Sequence, residues 1–252
     1  TLKDVTFKVA DGVKVEGMKL VSESKDKKLT LENIKFEGFD FTDKVVIGQD
    51  GSSYGYSQCS NITFENCTFD MSKSTAQYHD AIKRSDVIVS GSIAEKEKTA
   101  YLDGITIKNC TFTNVRYGVF LGKVRNVTIE DCTFTNCSSY AIRLYDVAGN
   151  LTIRNNTADN TAGFLTINTV GNNYSTTDTA TNIVIENNTV TNMTCGNGDV
   201  FMTSYDNNSQ NGKSTYTITG NTVTYTQAFE EPLIGFRIKS TYGPSVAKFI
   251  PQ

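Results

Sequence analysis

Seven stretches of the chain are variants of one phrase, and the phrase returns at the interval of a stacked coil. They are KLTLENIKF from Lys28, NITFENCTF from Asn61, GITIKNCTF from Gly104, NVTIEDCTF from Asn126, NLTIRNNTA from Asn150, NIVIENNTV from Asn182 and TYTITGNTV from Thr215. Successive starts lie about 22 to 43 residues apart, the interval at which solenoid repeats recur. Apolar and polar residues alternate within the phrase, as a half-buried strand requires. An Asn-Cys, Asp-Cys or Asn-Asn step follows, and then a second short strand. Such a unit has no way to bury its own apolar face, so copies must stack and share a core.

The phrase resembles the coil repeat of right-handed parallel β-helix proteins, the pectate-lyase-like family, from about Leu29 to Ser240. The resemblance implies an all-β fold, a single-stranded right-handed parallel β-helix solenoid of about seven coils with three strands in each. A strand ahead of the phrase is legible as DAIKRS at Asp80, YGVFLG at Tyr117, YAIRLY at Tyr140, GFLTIN at Gly163, DVFMTS at Asp199 and IGFRIK at Ile234. The 252 residues then divide into an opening coil or cap over 1–27, repeat coils over 28–240 and a C-terminal cap or tail over 241–252. The N-terminal stretch looks strand-like but fits the phrase poorly.

Composition narrows the partners. The formal charge of -3 argues against nucleic acid, which asks for a basic stripe. No stretch is long and apolar enough for a membrane-spanning helix, which needs roughly 20 apolar residues. The chain starts at Thr1 and offers neither a signal peptide nor an amphipathic capping helix. That suits a processed protein or an excised module, a monomer or part of a larger multidomain chain.

Cys67, Cys110 and Cys132 occupy one slot of consecutive phrases, and Asn156, Asn188 and Asn221 occupy it afterwards. Cys137 aligns with Val115 and Met193, and Cys59 with Val124. Stacked coils bring equivalent residues about 4.8 Å apart. The expected state is a ladder of reduced, buried thiols, because free cysteine behaves as a small hydrophobe. The turn residues Asn33, Asn66, Asn109, Asp131, Asn155 and Asn187 form a second column, suited to a left-handed backbone.

Function has to sit where the repeat is decorated. The connection from the preceding strand into the phrase is long over 48–60, 87–103, 169–181 and 205–214, and short over 123–125 and 146–149. Two bare coils between decorated ones make a saddle on the order of 10–15 Å wide, enough for a sugar chain or a peptide strand. Alternation turns Ile142 and Leu144 inward and Arg143 and Tyr145 outward. Phe120 stacks beside Arg143 and Tyr117 beside Tyr140. Lys123 and Arg125 lie on the short turn below, with Asp86, Lys123 and Asp146 in one column. Aromatic faces beside guanidinium groups suit a polysaccharide or host glycan, with Arg gripping a carboxylate or sulfate. Tyr117, Phe120, Lys123, Arg125, Tyr140, Arg143 and Tyr145 are therefore the candidate ligand-binding residues.

The family resemblance raises catalysis as an alternative. Arg237-Ile238-Lys239 resembles the Arg-Ile-Lys motif of polygalacturonases, which also use an Asp-Asp pair and a His-Gly motif. Here no Asp-Asp occurs, and the single histidine, His79, precedes Asp80. Asp80 and Asp199 fall on the order of 19 Å apart by strand spacing, beyond the separation of about 5 to 9.5 Å that glycoside hydrolysis uses. For a polysaccharide lyase, Lys123 and Arg143, or Lys83 with His79, are the candidate bases and carboxylate clamps, with calcium as the family's metal. No cofactor or metal is otherwise called for. The sequence thus expects a secreted or cell-surface, adhesin-like β-helix module that binds glycans or serves as a structural spacer. The alternative is a lyase or hydrolase acting on acidic polysaccharide.

Overall fold

The computed structural model describes residues 1–21, 29–50, 57–74, 80–85, 102–169, 181–194, 201–206, 214–225, 234–240, 243–245 and 248–249. Apart from one 3-10 turn, Met71–Lys73, the regular elements among them are strands. The phrase strands stack in parallel in chain order: Leu2–Lys8, Leu29–Glu37, Ser57–Glu65, Leu102–Lys108, the later halves of Tyr117–Glu130 and Thr133–Arg154, then Thr181–Glu186 and Thr215–Thr219. The short strands after the turn form a second parallel stack, from Lys14–Val15 to Thr222–Tyr225. A third stack runs from Met18–Val21 to Ile234–Ser240. Each coil therefore contributes one strand to each of three walls. This is the parallel β-helix that the repeat implies, and its core is the column enclosed by the walls.

Register corrects the first repeat. Ile34 lies opposite Ile62 and Phe36 opposite Phe64, so the first aligned phrase is NIKFEGFDF from Asn33, five residues beyond Lys28. KLTLENIKF alternates equally well, which is why periodicity alone slipped. Asn33 consequently leaves the turn column, where Gly38 stands instead, next to Asn66. The shift also exposes a further copy, DVTFK from Asp4, whose Val5 and Phe7 pair with Ile34 and Phe36. The N-terminal stretch fits the repeat after all.

The turns are held by left-handed residues. One corner carries Asn66, Asn109, Asp131, Asn155 and Asn187 with φ between 50° and 56°. A second carries Asp4, Asn33, Asn61 and Asn126, and a third Asn114, Asn136, Asn160 and Asn192. Asparagine tolerates this region because its amide bonds locally. Here the amides also chain from coil to coil: Asn109 Nδ2 donates to Asn66 Oδ1 at 2.6 Å, Asn136 to Asn114 at 3.0 Å and Asn160 to Asn136 at 2.8 Å. Gly149 continues the second corner at φ 74°, and a Cβ there would sit 2.6 Å from Asn126 Oδ1. Only glycine fits.

Inside, one slot does the same work with two chemistries. The thiols of Cys67, Cys110 and Cys132 donate to the carbonyls of Phe36, Phe64 and Ile107 in the coil before, at 3.5 to 3.6 Å. From the next coil onward the amides of Asn156, Asn188 and Asn221 donate to Ile129, Ile153 and Ile185 at 2.9 to 3.0 Å. The three stacked thiols are buried and reduced, as expected, and Cys59 and Cys137 are buried free thiols too. Burial is tolerated because every asparagine also finds its neighbour: Asn156 Nδ2 reaches Asn188 Oδ1 at 2.9 Å and Asn188 reaches Asn221 at 2.8 Å.

Aromatic volume is traded between walls. Phe41, Phe69, Phe112 and Phe134 stack on the second wall with centroids 4.8 to 5.0 Å apart. Facing them, the third wall offers the small residues Ala81, Gly118 and Ala141, and a Cβ on Gly118 would meet the Phe134 ring at 2.6 Å. Where the second wall shrinks to Ala158 and then Val190, the third supplies Phe164 and Phe201, stacked at 5.4 Å. Total core volume per coil is thereby held, which close packing demands. Each stacked pair adds about 0.5–1.5 kcal/mol beyond burial.

Candidate functional site

The third wall turns its outer face to the candidate site. Lys83, Phe120 and Arg143 are opposite one another in register on three successive strands. Arg143 is half-buried and its guanidinium packs beside two rings, 5.1 Å from the Tyr117 centroid and 5.4 Å from the Phe120 centroid. Its Nη1 donates a hydrogen bond to the Tyr117 hydroxyl. The Tyr117 and Phe120 rings lie 5.2 Å apart. A second guanidinium, Arg116, covers the Tyr117 ring from 4.6 Å. Arg116 Nε and Nη2 in turn donate to the two carboxylate oxygens of Asp80, both at 2.8 Å. Asp80 is 1 % exposed, so this bidentate pair is anchored at the base of the wall.

The structure thus gathers Tyr117, Phe120 and Arg143 into one cluster. It does not leave Tyr117 and Tyr140 as open stacking platforms: they are 6 % and 7 % exposed, and Tyr117 is roofed by the two arginines. Phe120 and Arg143 are half-buried, more open than the two tyrosines. Arg125 stands apart from them, half-buried at the corner that leads into the phrase strand, opposite Asp103 and Ala148. The backbones of Lys123 and Tyr145 belong to strands Tyr117–Glu130 and Thr133–Arg154, with Tyr145 opposite Gly122, while their side chains lie outside the described residues. His79, Asp86, Asp199 and most of the two saddle walls, 87–103 and 169–181, also lie outside them. Arg237-Ile238-Lys239 is in strand Ile234–Ser240, with Arg237 opposite Tyr205.

Sequence reasoning missed Arg116. Its signal was available, because Asp80 and Tyr117 begin two aligned third-wall strands and a cation immediately before Tyr117 reaches the acid one coil away. Asp80, which strand spacing sets too far from Asp199 for a hydrolytic pair, has both of its oxygens taken by Arg116. Among the described residues no group of three or more His, Cys, Asp or Glu side chains is placed to hold a metal ion. No helix among them is long and apolar enough to cross a membrane.

Comparison with known proteins places these coils. A family profile described as a right handed beta helix region matches residues 24–223. No curated protein sequence matches the chain. Among solved structures, it is similar to PfbA, a surface adhesin of Streptococcus pneumoniae, with 10 % identity and a TM-score of 0.39 over 90 % of this chain and 66 % of that one. A second structure of that surface protein and adhesin gives 12 % identity and a TM-score of 0.38 over 94 % of this chain and 67 % of the other.

Proposed function

This chain belongs to the right-handed β-helix family, and we propose that it is a non-catalytic recognition module of a secreted or cell-surface protein, binding glycans on the outer face of its third wall. The observation that carries this reading is the arginine packed beside two neighbouring aromatic rings: Arg143, set by the Tyr117 hydroxyl and lying against Tyr117 and Phe120. A guanidinium fixed in this way has already lost its rotamer freedom, so a carboxylate or sulfate on a sugar is met by a preorganised donor. Phe120 supplies apolar area for a sugar ring beside it. The site rests on stacked strands, which hold it more rigidly than loops would. The engagement of Asp80 by Arg116 favours recognition over hydrolysis, since both carboxylate oxygens are occupied by the guanidinium instead of facing a glycosidic bond.

A glycan array followed by calorimetry on the best hit tests the proposal. Arg143→Ala and Phe120→Ala should each weaken binding by about 2 kcal/mol, the usual cost of truncating an anchor. Substitutions of the outward threonines Thr128 and Thr152 on the phrase wall should leave affinity unchanged. Binding retained in full by the Arg143→Ala, Phe120→Ala double variant would dispose of this site. Steady release of unsaturated uronate from polygalacturonate or alginate, abolished by Arg143→Ala, would replace recognition by lyase chemistry.

A further inference from the structure

Asp80 and Arg116 are paired at a place where the repeat does not ask for a charge. Strands Asp80–Ser85 and Tyr117–Glu130 begin side by side, with Asp80 opposite Tyr117, and Arg116 is the residue just before Tyr117. In the next two coils the same slots hold Ser139 with Tyr140 and Ala162 with Gly163, so neither the cation nor the acid recurs there. The coils are joined at this point by the ladder bonds of the wall in any case. Burying a carboxylate to 1 % exposure is costly, and apolar residues of similar volume would staple two coils at least as well.

What the pair does hold is a ring. Arg116 reaches back one coil to both Asp80 oxygens and, in doing so, lies over Tyr117 at 4.6 Å from the ring centroid. The two-pronged contact fixes the plane of the guanidinium as well as its place. The ring it covers also touches Phe120, 5.2 Å away and tilted by 40°. Its hydroxyl accepts from Arg143 Nη1, and the Arg143 guanidinium lies 5.1 Å from the same centroid. A line of contacts therefore runs from Asp80 through Arg116 and Tyr117 to Arg143. Arg116 is better suited to holding than to gripping an anion. Its Nε and Nη2 are spent on Asp80, and its charge is offset in that salt bridge.

We propose, resting on the recognition function proposed above, that Asp80 and Arg116 are positioning residues which act through the Tyr117 ring to set Arg143 in its binding pose before any ligand arrives. Arg143 remains the group that meets the acidic substituent of a glycan. The pair makes no ligand contact. It contributes affinity by removing motion that binding would otherwise have to remove.

The inference is tested first without a ligand, by nitrogen NMR of the arginine side chains. Arg143, assigned through its loss in Arg143→Lys, should show separate Nη signals from slow guanidinium rotation in the parent. Those signals should merge into one in Tyr117→Phe and in the double variant Asp80→Asn, Arg116→Gln, which removes both charges together and leaves neither buried alone. Arg116→Lys keeps the charge without the planar fork and should do the same, which covers a failure of the double variant to fold. Merged signals in the parent, or separate ones in Arg116→Lys, overturn the proposal. Calorimetry with a heparin tetrasaccharide, a probe carrying both carboxylate and sulfate, reads the consequence. The double variant should bind about two- to tenfold more weakly, the range for freeing one rotamer-rich side chain. In an Arg143→Ala background the same two changes should cost nothing further, because they act through Arg143. Equal losses in both backgrounds would mark a structural staple and overturn the positioning role. A parent that ignores heparin while Arg143 rotates slowly upholds the positioning and counts against recognition of acidic glycans.

Discussion

Thr161 shows how little latitude a stacked core allows a single side chain. It continues the inward column of Val115 and Cys137 and precedes Met193, and it is fully buried. Its hydroxyl has no hydrogen-bond partner. An unsatisfied buried hydroxyl costs about 1–3 kcal/mol, whereas valine has the same shape and no polar atom. Thr161→Val should therefore raise the unfolding free energy by about 1 kcal/mol in urea titration; an unchanged or lower midpoint would show that the hydroxyl is satisfied in solution. The alignment Cys137–Thr161–Met193 was readable from the repeat, but whether a threonine hydroxyl reaches a carbonyl depends on rotamer and strand spacing. Arg116 teaches the same lesson at the site. Its charge was visible, yet its partner Asp80 is 36 residues away and becomes adjacent only when the coils stack.

At the scale of the element, the thiol ladder ties stability to alkaline pH. Hydrogen bonding to Cys132, followed by burial, pushes the Cys110 thiol up from its ordinary 9.0 to about 12. Burial alone takes Cys137 to about 12, and Cys67 is raised further through its bond with Cys110. Thiols that keep their protons longer in the folded than in the unfolded chain contribute stability that is complete below pH 9. It is lost as pH climbs from about 9 towards 12, because the unfolded state then binds fewer protons. The slope should approach about 1.4 kcal/mol per pH unit for each such thiol. Denaturation curves between pH 8 and pH 11 should show Cys137→Ala falling less steeply than the parent by about that amount. Equal slopes would mean that Cys137 is solvated. The elements themselves were legible wherever the phrase is unambiguous. The one slip, at Lys28, came where two overlapping windows alternate equally well, and only the partner strand distinguishes them.

Across the whole molecule, the repeat revealed the architecture because every coil obeys the same inward-outward rule. The site was legible only in part: register placed Phe120 beside Arg143, but nothing in a linear pattern tells that two guanidinium groups roof Tyr117. The stacking direction has a further, mechanical consequence. Each wall is a ladder of parallel strands lying across the long axis, and each coil is bonded chiefly to its two neighbours. A load applied between the two chain ends therefore pulls ladder bonds open one after another instead of shearing a whole row together. The rod should yield by unwinding from an end, one turn at a time, and rewind when slack returns. Turns of 22 to 43 residues would release about 75 to 150 Å of extended chain each. In optical-trap traces this reads as a staircase of small, low-force drops with those lengths. A single high-force rupture to full length would refute it. Anchored under flow, a protein with this property would lengthen under tension and act as a shock absorber.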